Sequence, residues 1–455
     1  MESNKENIQF ELSQGLIANV TQLITERKDK ELQKLLNEFH FADIADILEE
    51  VNLDQALYVI KLLDSETTSD VLMELDEDDR EKVLENLSAK EIAEEIEELD
   101  TDDAADIIAE LPEERQQNVI SQIENKEHKA EIEELLSYDE DSAGGLMAKE
   151  LVKVYETWTV AGCLRRIKGQ AEDVTRVHSV YVVDKNEKLV GRLSLKDLII
   201  TKNEAKIADI CKSVDSVNVN DEGEEVAKVM QKYDLEAIPV VDDENVLLGR
   251  ITIDDIVDVI KEEAEKDYQL AAGITQEVEA DDSIFQLTKA RLPWLVLGLF
   301  GGLGSVFIME GFEEALNKYK ELFFFTPLIA AMAGNVGVQS SAIIVQGLAN
   351  DVVKGSLLNR LIKEVGLSLI NGIVLGILVI LFGLAMNMHM DFSFTIAISM
   401  LCVIIVAALI GTFVPIILDK RGIDPAIATG PFITTSNDIF GIFLFFYIAK
   451  LILQF

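Results

Sequence analysis

The stretch Gly430-Pro-Phe-Ile-Thr-Thr-Ser-Asn-Asp438-Ile-Phe-Gly441 sets one carboxylate inside an otherwise apolar final segment, Pro425 to Phe455. A lone carboxylate near hydrocarbon costs at least about 2.5 kcal/mol and usually faces a water-filled path, so Asp438 is read as a point where a cation passes. The segment is long enough to cross roughly 30 Å of hydrocarbon. Four earlier runs share that length, giving spans at about 292–309, 323–348, 364–387, 393–418 and 427–453. A five-helix transmembrane domain is therefore expected over 286–455.

Charge is segregated from these runs. Of 82 acidic and 40 basic residues, ten and nine lie in 291–455, which leaves 72 and 31 in 1–290. So anionic a front half disfavours nucleic acid and anionic lipid surfaces as partners and favours cations. Lys289 and Arg291 precede the first run, Lys354, Arg360 and Lys363 follow the second, and Lys420 and Arg421 follow the fourth. The opposing loops carry mainly Lys318 and Lys320, among acids. By the positive-inside rule the acidic half and the N-terminus are cytoplasmic, and an odd number of spans puts the C-terminus outside. Met1 to Glu11 shows no basic region followed by an apolar core, so no cleavable signal is expected. Gly298 with Gly302, and Gly372 with Gly376, have the small-xxx-small spacing that permits close helix contact.

Other chemistry finds little support. Cys163, Cys211 and Cys402 lie far apart without a CxxC spacing, so neither a disulfide framework nor a zinc site is indicated, and a reducing cytosol fits. His40, His128, His178 and His389 are scattered without ligand spacing and read as ordinary surface or core residues. No Gly-x-x-x-x-Gly-Lys, Gly-x-Ser-x-Gly or His-Glu-x-x-His string occurs, so an ATP-driven pump or a hydrolase is not expected.

The soluble half carries two kinds of repeat. Short amphipathic units recur every dozen or so residues from Ile44-Ala-Asp-Ile-Leu to Val119-Ile-Ser-Gln-Ile, which predicts an acidic, all-α, superhelical domain over 1–137. A sharper pair follows, Ser179-Val-Tyr-Val-Val-Asp-Lys-Asn-Glu-Lys-Leu-Val-Gly-Arg-Leu-Ser-Leu-Lys-Asp197 aligning without gaps on Ala237 to Asp255, with seven of 19 positions identical. Each copy reads strand, Asp-containing turn, strand, helix start, with Ser194 or Thr252 placed to cap the helix. The pair resembles tandem CBS domains, α+β modules placed here at 138–200 and 201–258. That resemblance implies an adenine nucleotide such as ATP as a regulator, held by Ser194, Asp197, Thr252 and Asp255; capping alone also accounts for these residues.

The whole chain resembles the MgtE-type magnesium channels. The resemblance rests on Asp141-Ser-Ala-Gly-Gly-Leu-Met147, Gly334-Asn-Val-Gly-Val-Gln339, Gly422-Ile-Asp-Pro425 and Thr434-Thr-Ser-Asn-Asp438, with an acidic connecting, or plug, helix over 259–285. It implies a homodimer with one pore in the cell membrane, lined by the fifth spans, in which Asp438 holds a hydrated Mg2+ through its waters. Thr434 and Asn335 supply the hydroxyl and amide oxygens that suit such an ion. It also implies that cytosolic Mg2+ shuts the pore by bridging Asp70, Asp102 and Asp106 of the first domain, Asp234, Asp255 and Asp258 of the second CBS copy and helix start, Glu263 and Asp267 along the helix, and Asp424 at the pore mouth. Lys266 stands where the resemblance calls for an acid. The same oxygen ligands accept Co2+, Ni2+ and Mn2+. Two readings stay open beside this one: the CBS pair as a nucleotide sensor, and a transporter coupled to a second ion gradient.

Overall fold

The computed structural model describes residues 12–454 apart from 172, 173, 175, 277, 281, 351, 354, 355 and 429. Met1 to Glu11 and Lys354, read above for signal and charge, lie outside the described residues. The chain divides into two compact units, Met1–Ile260 and Lys261–Phe455.

In the first unit, ten helices run from Gln14–Thr25 to Lys126–Leu135. Side-chain caps recur because Asn52, Asp64 and Ser88 each accept a backbone N–H of the first turn, and Gln55 and Glu91 complete capping boxes. Helices this short are unstable alone and need a neighbour for their apolar stripe. Phe41–Glu49 packs on Ser65–Glu74, that on Ala89–Ile96, and that on Glu113–Gln122. Ile44, Ile47, Ile92, Ile96 and Ile107 fill the shared core. Stacking on the next helix but one makes the expected superhelix.

Two sheets of identical topology follow. In the first, β1 (Val152–Tyr155) is parallel to β2 (Val180–Val183), which is antiparallel to β3 (Leu189–Leu193); β4 (Val217–Asn218), β5 (Ala237–Val241) and β6 (Leu247–Thr252) repeat the order. The recurring Asp is the hairpin: Asp184 accepts Asn186 N–H at 2.7 Å and Lys188 N–H at 3.0 Å, and Asp242 accepts Glu244 N–H at 2.9 Å and Val246 N–H at 2.8 Å. The recurring Gly is a crossing point. A Cβ at Gly191 would stand 2.1 Å from Lys212 O, and one at Gly249 would stand 2.6 Å from Ala148 O. Each incoming segment bonds the Arg that follows the glycine, Lys212 with Arg192 and Ala148 with Arg250, in both directions.

The connecting helix, Ile253–Ala272, begins inside the segment assigned to the second CBS copy and stops before 285. Asp255 accepts the Thr252 N–H at 2.9 Å and its hydroxyl at 2.7 Å, which starts the helix directly on β6. Gly273, at φ +83°, ends it.

In the second unit, five helices are long and apolar enough to cross a membrane: Ile284–Gly311, Glu321–Ala349, Leu357–Ala385, Met390–Asp419 and Gly430–Leu453. The fifth starts after a 3-10 turn, Pro425–Ala428, rather than at 427. It packs against the first, second and fourth spans, around Ile329, Ile404, Phe445 and Phe446. Of the glycine pairs, Gly372 and Gly376 lie against Leu401 and Ala397 of the fourth span as expected. Gly298 and Gly302 meet nothing within 4 Å; Gly301 instead makes the close contact, with Thr435.

Replacing Gly249 by Val puts side-chain carbon where Ala148 O passes. The variant should lose about 1–3 kcal/mol of stability, read as a lower thermal unfolding midpoint, whereas Gly169→Ala, where nothing lies within 4 Å, should leave it nearly unchanged.

Candidate metal sites

Asp438 lies in the first half of the fifth span, partly accessible, with no hydrogen bond or ion pair among the described residues. Thr434, one turn earlier on the same face, turns its hydroxyl proton back to Gly430 O at 3.2 Å and Pro431 O at 3.1 Å, which leaves its oxygen free to accept. Gly334 of the second span makes room for both: a Cβ there would stand 3.6 Å from Thr434 Cγ2 and 3.7 Å from Asp438 Oδ1. Asn335, the next residue, is exposed, and so are Gln339 and Gln346. An amide edge of this kind on a membrane helix calls for water or protein beside it rather than lipid. Asn437 was passed over in the sequence. It is 1 % exposed, both its amide atoms lack a partner among the described residues, and a Cβ at Gly337 would stand 1.7 Å from its Nδ2.

The first unit gathers a second set of carboxylates. Helix Thr101–Ala109 carries Asp102, Asp103 and Asp106 with Asp100 at its cap, and it meets the start of the connecting helix, Asp254 and Asp255. Burial, then Asp103 and Asp255, hold the Asp102 carboxyl well above the usual range. Burial, then Asp255 and Asp106, push Asp103 up to about 7. Asp106 is also raised, by desolvation and then by Glu140 and Asp255, although its outer face meets solvent. Asp255 is raised by burial despite the two bonds from Thr252. Two cations neighbour the cluster and offset it only in part: Arg80, paired with Glu110, favours the charged form of Asp106, and Arg250, which bonds Glu150 O at 2.5 Å and lies 3.4 Å from Asp100, favours that of Asp255. Two ionised carboxylates about 4 Å apart repel by about 4 kcal/mol at an effective dielectric near 20, so the cluster, once ionised, opposes its own packing.

Residues 326–448 match the family described as a divalent cation transporter, residues 39–141 the MgtE intracellular N domain, and residues 143–202 and 207–262 the CBS domain. The chain is 38% identical over 322 residues, covering 70% of its own length and 71% of the relative's, to the magnesium transporter MgtE of Enterococcus faecalis. The chain belongs to the MgtE family. It is also 37% identical over 316 residues to the magnesium transporter MgtE of Bacillus subtilis, covering 69% of this chain and 70% of that one. A solved cytosolic domain of the Mg2+ channel MgtE in complex with ATP matches 53% of this chain and 99% of its own at 33% identity, with a TM-score of 0.51.

The other MgtE-type positions are less concentrated. Asp70 stands beside Glu66 and His40 rather than in the cluster. Asp234 is an exposed left-handed cap, φ 51°, ending helix Gly223–Tyr233. Asp258 and Asp267 are exposed on the connecting helix, and Glu263 pairs with Lys266 at 2.9 Å, so the unexpected lysine neutralises one expected ligand. Asp424 is exposed and accepts Ala426 N–H at 2.7 Å. Ser194 and Asp197 form a capping box, and Asp197 also pairs with Lys212 at 2.9 Å. Thr252 donates its N–H and hydroxyl to Asp255, so all four nucleotide candidates are engaged at helix starts. Asp100, Asp103, Asp254 and Glu140 were not named from sequence; the run Asp100-Thr-Asp-Asp103 was the available signal.

Raised carboxyls give stability a definite pH slope. In the fold Asp103 keeps its proton up to about 7, while the unfolded chain releases it near 3.8. That contribution is complete below 3.8 and is lost as pH rises through about 7. In divalent-free buffer Asp103→Asn should therefore gain thermal midpoint over the parent protein as pH climbs from about 4 to 7. A constant difference across that range would contradict the cluster.

Proposed function

We propose that this chain is one half of a homodimeric magnesium channel in the cell membrane, with the N-terminus cytoplasmic and the C-terminus outside. The observation that carries the reading is Asp438: a carboxylate within an apolar span, partly accessible, without a partner among the described residues, and backed by a glycine that leaves room for it. Mg2+ is small, demands octahedral oxygen ligation and sheds water reluctantly, so outer-shell contacts to Asp438, Thr434 and Asn335 suit it. The exposed amide edge of the second span supports a partner subunit and an aqueous axis there. The relatives' names as magnesium transporters support the cargo.

Gating follows from the acidic cluster. Mg2+ bridging Asp102, Asp103, Asp106 and Asp255 removes the repulsion that opposes packing of the helical domain on the head of the connecting helix. Asp70, Asp234, Asp258, Glu263, Asp267 and Asp424 are further ligands of the same control. The connecting helix ends against the pore helix: a Cβ at Gly430 would stand 2.1 Å from Ala271 O, and one at Gly273 2.4 Å from Pro431 Cγ. Fixing the helix at its acidic end therefore restrains the start of the fifth span. A second reading, the CBS pair as an ATP sensor, is favoured by the ATP-bound relative; nucleotide would have to displace the Lys212–Asp197 pair and Thr252–Asp255 bond.

Asp438→Asn should abolish Mg2+ uptake in transport-deficient cells while assembly persists, and full uptake by that variant would overturn the pore assignment. Rising Mg2+ should protect residues 255–290 of the purified protein from protease, and an unchanged cleavage pattern would remove the sensor. Calorimetry of ATP binding, in the parent protein and in Asp197→Ala, reads the second function separately.

A further inference from the structure

His128 has a neighbourhood that its place in the sequence does not announce. It lies on helix Lys126–Leu135, one turn before Glu131, and the fold brings Glu150, from the segment entering β1, to the same point. One ring nitrogen of His128 and one carboxylate oxygen from each glutamate lie within 4.8 Å of one another.

Three features separate this group from an ordinary acidic patch. His128 is only 9 % exposed, and its Nε2 lies 3.2 Å from the Ile96 carbonyl, which can only accept; in the neutral ring Nε2 thus carries the proton and Nδ1 the lone pair. An imidazole whose second nitrogen is tied to a backbone carbonyl is held as a metal-ligating histidine is held. Second, Nδ1 and the Glu131 carboxylate receive no hydrogen bond among the described residues. Third, Glu150 is oriented by Thr101, whose N–H and hydroxyl donate to its Oε2 at 3.2 and 2.8 Å. The nearby Lys149 ammonium is committed to Glu134 at 2.7 Å.

We propose that His128, Glu131 and Glu150 bind a zinc-class divalent transition ion, with the fourth position open to water. One nitrogen and two carboxylate donors match three-ligand zinc chemistry, whereas Mg2+ prefers oxygen and its own waters. Because the ligands come from the last helix of the helical domain and from the entry to the first sheet, the ion fixes that docking independently of the magnesium cluster. Occupancy requires only deprotonated carboxylates and neutral imidazole, with loss of metal-bound water.

The test uses the full-length protein in detergent, stripped with chelator and titrated with Co2+ as a spectroscopic stand-in for zinc. A visible ligand-field band should develop in the presence of millimolar Mg2+, be displaced by Zn2+, and persist in Asp103→Asn and Asp438→Asn. His128→Gln and Glu131→Gln should each weaken binding by at least about tenfold. Unchanged affinity in both variants, or a band that Mg2+ removes, overturns the site. Should buried His128→Gln fail to fold, the half-exposed Glu131→Gln decides alone.

Discussion

An anionic oxygen withdrawn from water without a fixed counter-charge is the constraint on which both halves of this protein turn. Burying one carboxylate is costly, and crowding several adds repulsion that falls off slowly in a medium less polar than water. Folding ordinarily answers with Lys or Arg. Here the available cations are already engaged, Arg80 by Glu110, Arg250 by Asp100 and the Glu150 carbonyl, Lys266 by Glu263. On the proposed function, what remains at Asp102, Asp103 and Asp255, and at Asp438, is charge that a mobile cation meets. A site left incomplete by its own chain responds to ion concentration, since the ion contributes only when present.

Glycine provides the geometry for that incompleteness. In the membrane unit Gly301, Gly334 and Gly337 remove the side chains that would occupy the space of Thr435, Asp438 and Asn437, so the polar face of the fifth span fits against apolar helices without being displaced. In the CBS pair Gly191 and Gly249 let a second backbone cross a strand, which locks the entry segment of each module onto the other module's sheet. Both uses depend on a missing Cβ rather than on unusual torsion angles.

Much of this was legible because the governing interactions are short in sequence. Asp184 and Asp242 bond amides two and four residues on, Ser194 caps the next turn, Thr252 donates to Asp255 three residues on, and hydropathy over twenty residues marks a span. Boundaries drifted where two local signals competed, as at Thr252, whose bonds to Asp255 start the connecting helix earlier than the change in composition. The membership of the acidic cluster was half legible: Asp102, Asp106 and Asp255 meet, whereas Asp70 and Asp234 stand apart, and Asp103 takes part unannounced. His128 looked isolated because one of its companions comes from another domain.

From the linear order of residues alone came the segregation of acid from oil, the five spans, the two repeats and the carboxylate within the last span. These are properties of composition and period, and no distant contact can reverse them. Which carboxylates face one another, which glycines admit a neighbour and which histidine nitrogen is tied to a carbonyl were decided only when residues 150 or more positions apart, such as Asp100 and Arg250, were packed together. Charge repulsion and close packing act through space over a few ångströms, and only the folded chain specifies those distances.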